Sequence, residues 1–270
     1  MQLFQISAQR KADWPKRVER ATELAGKYTW ASEILGFYRH ILEFQRAVFD
    51  GIPSVSSAPT ETPLRESLDL AAAARHFPAL HSLVQRHGPA AIAKQATDIS
   101  RLSDGGVEVM LRQYVSDETV SPAETFFALA LLQPFAEHLA LSRPLPVGDS
   151  GRGLCPACDS SPVAGTLRPE GDGGKRSLVC SLCLTEWEFR RILCPYCGET
   201  DHRKLPLFTV EESLPVVMHA CDTCKRYLKE ADLTKDGHAI AIVDEIATPQ
   251  LDVWAVEHSY KKVWPNIFSV

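Results

Sequence analysis

Eight cysteines, every one in a Cys-x-x-Cys pair and all between Cys155 and Cys224, constrain this chain more than any other feature of its 270 residues. The first 154 residues contain none. A disulfide framework needs an oxidising compartment, whereas paired thiols in a cytoplasmic protein point to metal or redox chemistry. The N terminus passes from Met1-Gln2-Leu3-Phe4 to Arg10, Lys11, Asp13 and Trp14 without the basic stretch and apolar core of a secretory signal, so a cytoplasmic location is expected.

The pairs form an internal repeat. Cys155 and Cys158 recur 39 residues on as Cys194 and Cys197, and Cys180 and Cys183 recur 41 residues on as Cys221 and Cys224. The intervals inside the two units, 21 and 23 residues, leave room for a hairpin between knuckles. A Cys-x-x-Cys knuckle turns both sulfurs to one side, and two knuckles supply a tetrahedron around one ion. The matching intervals favour sequential pairing: Cys155, Cys158, Cys180 and Cys183 on one ion, and Cys194, Cys197, Cys221 and Cys224 on the other. Interleaved pairing, first knuckle with third and second with fourth, is the competing arrangement. Tetrahedral sulfur suits zinc or a single iron, and four protein ligands leave no position open for water, so hydrolytic metal catalysis is not expected. Thioredoxin-like dithiol chemistry fits poorly, because no strand-helix-strand pattern surrounds the pairs. Each unit of about 40 residues is too small for an adequate core, so metal is expected to drive its folding.

Gly198, directly after Cys197, suits the close turn of a knuckle; Asp159, Leu184 and Lys225 hold the equivalent places and fit that pattern less well. Lys225 is a candidate to stabilise thiolate. His202 and His219 are suitable ligands by residue type, but eight cysteines already complete two tetrahedra.

The cysteine-free half reads as helices. Ile34, Phe37, Tyr38, Ile41, Phe44 and Val48 recur at three- and four-residue steps, placing one apolar face on a helix over 32–49. Ser121-Pro122-Ala123-Glu124 combines a cap serine, a first-turn proline and a capping-box glutamate. The run behind it, Phe126 to Leu139, is apolar on nearly every side, which predicts a central helix kinked near Pro134. Further helices are expected over 15–25, 65–75, 79–87, 89–96 and 107–114. The stretch 53–63 reads as an exposed loop, 142–153 as a linker, 169–175 as a loop, 238–246 as a strand, and Thr248-Pro249 as the start of a final helix. The fold class is therefore multidomain α+β: a helical domain over 1–148, rubredoxin-like or zinc-ribbon modules over 149–191 and 192–232, and a C-terminal strand and helix over 233–270 that cover one of the two or join them.

Composition narrows the partners. With 45% apolar and 23% charged residues the chain is ordinary globular protein, and a net charge of −5 argues against a surface built to neutralise phosphates, so no nucleic-acid partner is expected. The most apolar stretch falls well short of the roughly 20 residues of a spanning helix, so no membrane insertion is expected. A homodimer is left open.

Four strings, CPACDSSPVAG from Cys155, CSLCLTEWEFRR from Cys180, CPYCGE from Cys194 and ACDTCKRYLKE from Ala220, together resemble the FdhE family of formate dehydrogenase accessory proteins. LLQPFAEHLA from Leu131 and DVWAVEHSYKK from Asp252 extend the resemblance over most of the chain. It implies a cytoplasmic maturation factor, not an enzyme, that binds the catalytic subunit of a respiratory formate dehydrogenase before export, with rubredoxin-like metal sites in which iron is favoured and zinc is the alternative. Thr185, Glu186, Trp187, Arg190 and Arg191, just after the second knuckle, are candidates for a partner-binding surface; Trp187 is equally suited to capping the apolar base of the ribbon, and the arginines to balancing thiolate charge. A nucleic-acid-binding zinc ribbon and a rubredoxin-like electron carrier are the alternative functions.

Overall fold

A computed structural model describes residues 12–53, 62–99, 104–145, 151–171, 173–210 and 215–269. Most of the 53–63 loop and the core of the 142–153 linker, including the 148 boundary, lie outside the described residues.

Among the described residues seven α-helices precede the cysteines: α1 (Trp14–Lys27), α2 (Ser32–Asp50), α3 (Leu70–Ala74), α4 (Phe77–His87), α5 (Ala90–Ile99), α6 (Asp104–Val115) and α7 (Pro122–Leu141). Helix α2 buries Phe37, Tyr38, Ile41 and Val48 of the predicted stripe together with Leu35, Leu42 and Gln45, while Ile34 and Phe44 are half-buried at its flanks. Helix α7 opens with the full capping box: the Glu124 amide donates to Ser121 Oγ at 3.2 Å, and the Ser121 amide to Glu124 Oε2 at 2.7 Å. Every residue from Phe126 to Pro134 is buried, so α7 is the axis of the bundle, and it continues through Pro134 to Leu141. The polar groups on this axis are satisfied in pairs. Glu137 takes both Arg17 guanidinium nitrogens, and Gln133 accepts from Gln45 Nε2 at 2.9 Å.

The described residues of the second half form one sheet of seven strands: β1 (Pro162–Glu170), β2 (Gly173–Cys180), β3 (Glu186–Glu188), β4 (Leu207–Phe208), β5 (Val216–Cys221), β6 (Arg226–Asp232) and β7 (Lys261–Lys262). Its order is β3-β2-β1-β6-β5-β4, with β7 beside β6. Each cysteine unit contributes an antiparallel ribbon, and the two ribbons join through the parallel pair β1 and β6, with Gly165 opposite Glu230. The expected loop over 169–175 is instead the tip of a hairpin, since the strands pair as far as Glu170 and Gly173.

The expected strand over 238–246 is absent. Those residues form the short helix α8 (Ala241–Asp244), because Asp244 accepts the Ile240 amide at 2.7 Å and receives the Arg20 guanidinium of α1 at 2.6 and 3.0 Å. A buried charge pair at that position overrides an alternating pattern that has no sheet edge to join. Helix α9 (Pro249–Glu257) begins at the predicted proline and packs on β5 and β6 through Leu251 and Ala255. The C-terminal segment thus both ties the sheet to the bundle and covers the second ribbon. No helix among the described residues is long and apolar enough to cross a membrane.

Candidate metal centres

All four knuckles share one backbone. In each, the residue after the second cysteine is left-handed: Asp159 (φ 57°), Leu184 (φ 55°), Gly198 (φ 77°) and Lys225 (φ 54°). The first cysteine's carbonyl accepts that residue's amide at 2.9, 3.1 and 2.8 Å in the first, third and fourth knuckles. Its amide in turn donates across the turn, Cys155 to Ser160, Cys180 to Thr185 and Cys194 to Glu199, at 2.9 to 3.0 Å. The absence of glycine therefore does not mark a different turn. Three side chains hold a conformation that costs about 1–2 kcal/mol for an L-residue, tolerable where the surroundings over-determine it. Lys225 does not face sulfur: its ammonium pairs with Asp222 at 2.5 Å and sits 4.9 Å above the Tyr260 ring.

The knuckles gather in chain order. The sulfurs of Cys155, Cys158, Cys180 and Cys183 form one group and those of Cys194, Cys197, Cys221 and Cys224 another, all within 4.8 Å inside each group, so the interleaved arrangement is not the one adopted. Cys155–Cys183, Cys158–Cys180 and Cys158–Cys183 sulfurs stand 3.4 to 3.6 Å apart in the first group, and Cys194–Cys224 and Cys197–Cys221 sulfurs 3.6 to 3.7 Å in the second. Four thiolates at about 2.3 Å from one ion stand about 3.8 Å apart, so both groups fit a tetrahedral ion. Each could hold one metal ion, and nothing in the sulfur geometry separates iron from zinc.

The surroundings of the two groups differ. In the first all four cysteines are buried, and the Ser160 and Thr185 hydroxyls lie 3.3 and 3.2 Å from Cys158 and Cys183 Sγ, placed to donate to thiolate. The Ala157, Leu182 and Cys183 amides point at Cys155 and Cys180 sulfur at 3.3 to 3.4 Å. Helix α7 closes this site from the bundle side, Gln133 Nε2 donating to the Ser181 carbonyl at 2.9 Å. Hydrogen bonds from neighbouring thiols, Cys155 first, push Cys158 down, while burial pushes Cys180 and Cys183 up. Without an ion this pocket favours one thiolate among thiols; a divalent cation is what lets all four ionise.

The second group is open. Cys197 is exposed and Cys224 half-buried. Where the first site has hydroxyls, the second has Glu199 and Arg226; Glu199 accepts from the Thr223 hydroxyl at 2.5 Å and so clamps the third knuckle to the fourth. The third knuckle also packs tightly on the chain entering the first: a Cβ on Gly153 would stand 1.7 Å from the Pro195 carbonyl oxygen, so that approach admits only glycine. Between the ribbons, Arg176 Nε donates to Glu230 at 2.6 Å and its NH1 to the carbonyls of Arg190 and Leu193 at 3.0 and 2.9 Å, fixing the backbone that leads into Cys194. His219 lies 3.1 Å from Glu230, and burial pulls its imidazole down to about 4, so it is neutral near pH 7. Neither His202 nor His219 joins the sulfur groups.

The candidate partner residues divide. Trp187 is buried in the core below the first group, the capping position, and Thr185 is buried with its hydroxyl on Cys183 sulfur. Glu186 is held by Arg168 and by the Thr166 hydroxyl. Thr185 and Trp187 therefore face the core, Glu186 is half-exposed, and Arg190 and Arg191 are exposed. Sequence reasoning passed over Ser160 and the sulfur-facing role of Thr185, although a hydroxyl two residues after the second cysteine of both early knuckles was visible.

Comparison with known proteins follows the same division. Residues 154–191 match the family model for the FdhE central domain, and residues 192–268 the model for the FdhE C-terminal domain. An FdhE homolog of Aquifex aeolicus is 26% identical over 92% of this chain and 93% of its own. One from Pseudomonas aeruginosa is 37% identical over 52% of this chain and 48% of its own. The crystal structure of the Pseudomonas aeruginosa FdhE protein superposes with a TM-score of 0.77 at 25% identity, covering 97% of this chain and 98% of that one. With its helical half, its shared sheet and its two four-cysteine groups, the chain is similar to FdhE proteins over nearly its whole length, and its cysteine half matches both FdhE domain models.

Proposed function

We propose that this protein is a cytoplasmic maturation factor that binds the catalytic subunit of a respiratory formate dehydrogenase before export and catalyses no reaction itself. The observation that carries the reading is the pair of complete four-sulfur sites. A site with every position taken by cysteine has none left for substrate or water, which suits recognition and redox sensing rather than turnover. In this reading residues 1–148 are scaffold, 149–191 and 192–232 are the two metal modules, and 233–270 fasten them together. All eight cysteines are ligands. Mononuclear iron is favoured by the family resemblance, and zinc fits the same sulfurs.

A rubredoxin-like electron carrier is the second reading. It is supported by the exposure of Cys197, which would bring an ion in the second site close to the surface.

The test is capture of the tagged catalytic subunit by protein purified without oxygen, alongside metal content and electron paramagnetic resonance. Wild type is expected to carry two ions per chain and to retain the subunit. The Cys194→Ser/Cys197→Ser variant should carry one ion and lose the subunit. Full capture and maturation by a variant shown to lack the second ion would sink the proposal, and zinc in both sites would remove the redox component.

A further inference from the structure

Beside the second cysteine group lies a cavity of about 500 Å³ whose floor includes Cys194, Ala220 and Cys221. Its walls are mostly apolar, with His202 and His219 among them, and two of the apolar side chains are exposed at the rim, Ile192 at 54% and Leu207 at 59%. Two guanidinium groups also face it. Arg176 lines it as well but is committed to Glu230. Arg191 and Arg226 have no carboxylate partner among the described residues, whereas Arg168, Lys175, Arg203, Lys204 and Lys225 of the same half are all ion-paired. Arg226 is held in place without being neutralised: it stacks 3.9 Å above the Tyr196 ring and donates to the Lys262 carbonyl at 3.1 Å. On a chain with net charge −5, a concave apolar surface edged by two unpaired arginines calls for an occupant that is apolar in the middle and anionic at the edge.

We propose that this cavity docks an extended segment of a partner protein in which a bulky apolar side chain stands next to an aspartate or glutamate. The apolar side chain fills the space between Ile192 and Leu207, and the carboxylate meets Arg191 and Arg226. Cys194 and Cys221 form part of the floor, so an occupied cavity touches the backbone of the second centre. The identity of the partner as a formate dehydrogenase subunit rests on the function proposed above; the peptide chemistry does not.

Two peptide arrays probed with the full-length, metal-loaded protein test this and keep the two readings apart. One array is degenerate, placing an acidic, neutral or basic residue beside Leu or Phe in 12-residue peptides. The other tiles the catalytic subunit of a respiratory formate dehydrogenase. The degenerate array should show binding to acidic-apolar peptides at about tenfold or more above their basic counterparts. That preference should fall away in Arg191→Glu and in Leu207→Asp, two exposed positions whose variants must still carry two ions. Equal binding of acidic and basic peptides, or an unchanged preference in both variants, overturns the docking proposal. Binding to the degenerate array with none to the tiled one keeps the docking site and refutes the client. Binding to the tiled array that ignores both variants does the reverse.

Discussion

Replacing Arg176 with Met should destabilise the metal-loaded protein by about 3–5 kcal/mol, because removing one partner of a buried ion pair strands the other. Both members are shut from water, Arg176 at 3% and Glu230 at 2% exposure. The substitution preserves much of the apolar stem while deleting the donors to Glu230, Arg190 and Leu193. What remains beside the Glu230 carboxylate is His219 at 3.1 Å. The Leu193 carbonyl, one residue before Cys194, loses its donor, so the second ion should also be held less firmly. Replacing Glu230 with Met as well removes the stranded charge. The double variant should therefore be more stable than the sum of the single losses predicts, with a coupling of about 2 kcal/mol for groups in direct contact. Guanidinium unfolding followed by tryptophan fluorescence, with metal content measured on each variant, gives the comparison. A loss below about 1 kcal/mol for Arg176→Met, or strict additivity in the double variant, would refute the reasoning.

A colorimetric chelator should remove the two ions in two phases, the fast one from the second site, because Cys197 is exposed while the first group is wholly buried. The Cys197→Ser variant should lack the fast phase, and a single phase in wild type contradicts the assignment. Gly153→Ala should cost at least about 1–3 kcal/mol, as expected of overpacking, and should lower metal content at the second site, since the new methyl collides with the Pro195 carbonyl; an unchanged protein would mean the contact yields freely. Burial works against an ionised Glu245, but Lys229 and Lys262 outweigh it and hold that carboxyl below its usual range. A carboxyl depressed on folding contributes stability that is present above its unfolded value and lost as pH falls through the folded one. Lys262→Met removes the partner at 2.6 Å, so acid unfolding should begin at higher pH than in wild type; coincident acid curves would exclude this linkage.

The readable features were those whose cause is local. The stripe on α2, the capping box at Ser121 and the all-round apolar run of α7 each depend on residues within a few turns of one another. The sulfur groups were legible because a fixed spacing, repeated, admits few ways of closing a tetrahedron. The knuckles at Asp159, Leu184 and Lys225 were underrated because glycine was sought where the backbone only needed to be forced left-handed by its surroundings. Long-range charge pairs left no trace in the pattern. Arg20 and Asp244 stand 224 residues apart, and their pairing turned an alternating stretch into α8. Nor does anything in strands β1 and β6 announce that they run parallel and fuse two ribbons into one sheet. Surface and core stayed open at Trp187, and Thr185 was read as surface, for the same reason: which side of a knuckle faces the bundle is decided by α7, through Gln133.

That last contact separates the roles of the two centres. Cys155, Cys158, Cys180 and Cys183 belong to the same apolar core as Leu111, Phe127 and Leu132 of the helical half, so an ion there secures the junction of bundle and sheet. The second centre borders a smaller cluster of Val216, Met218, Tyr227 and Leu251, covered by α9 rather than by the bundle. Loss of the first ion must loosen both halves, because the core they share would enclose unpaired thiols. Loss of the second should stay confined to the second ribbon and the cavity beside it. The redox sensing proposed above needs a site that can change without unfolding its carrier, and of the two centres the second is so placed.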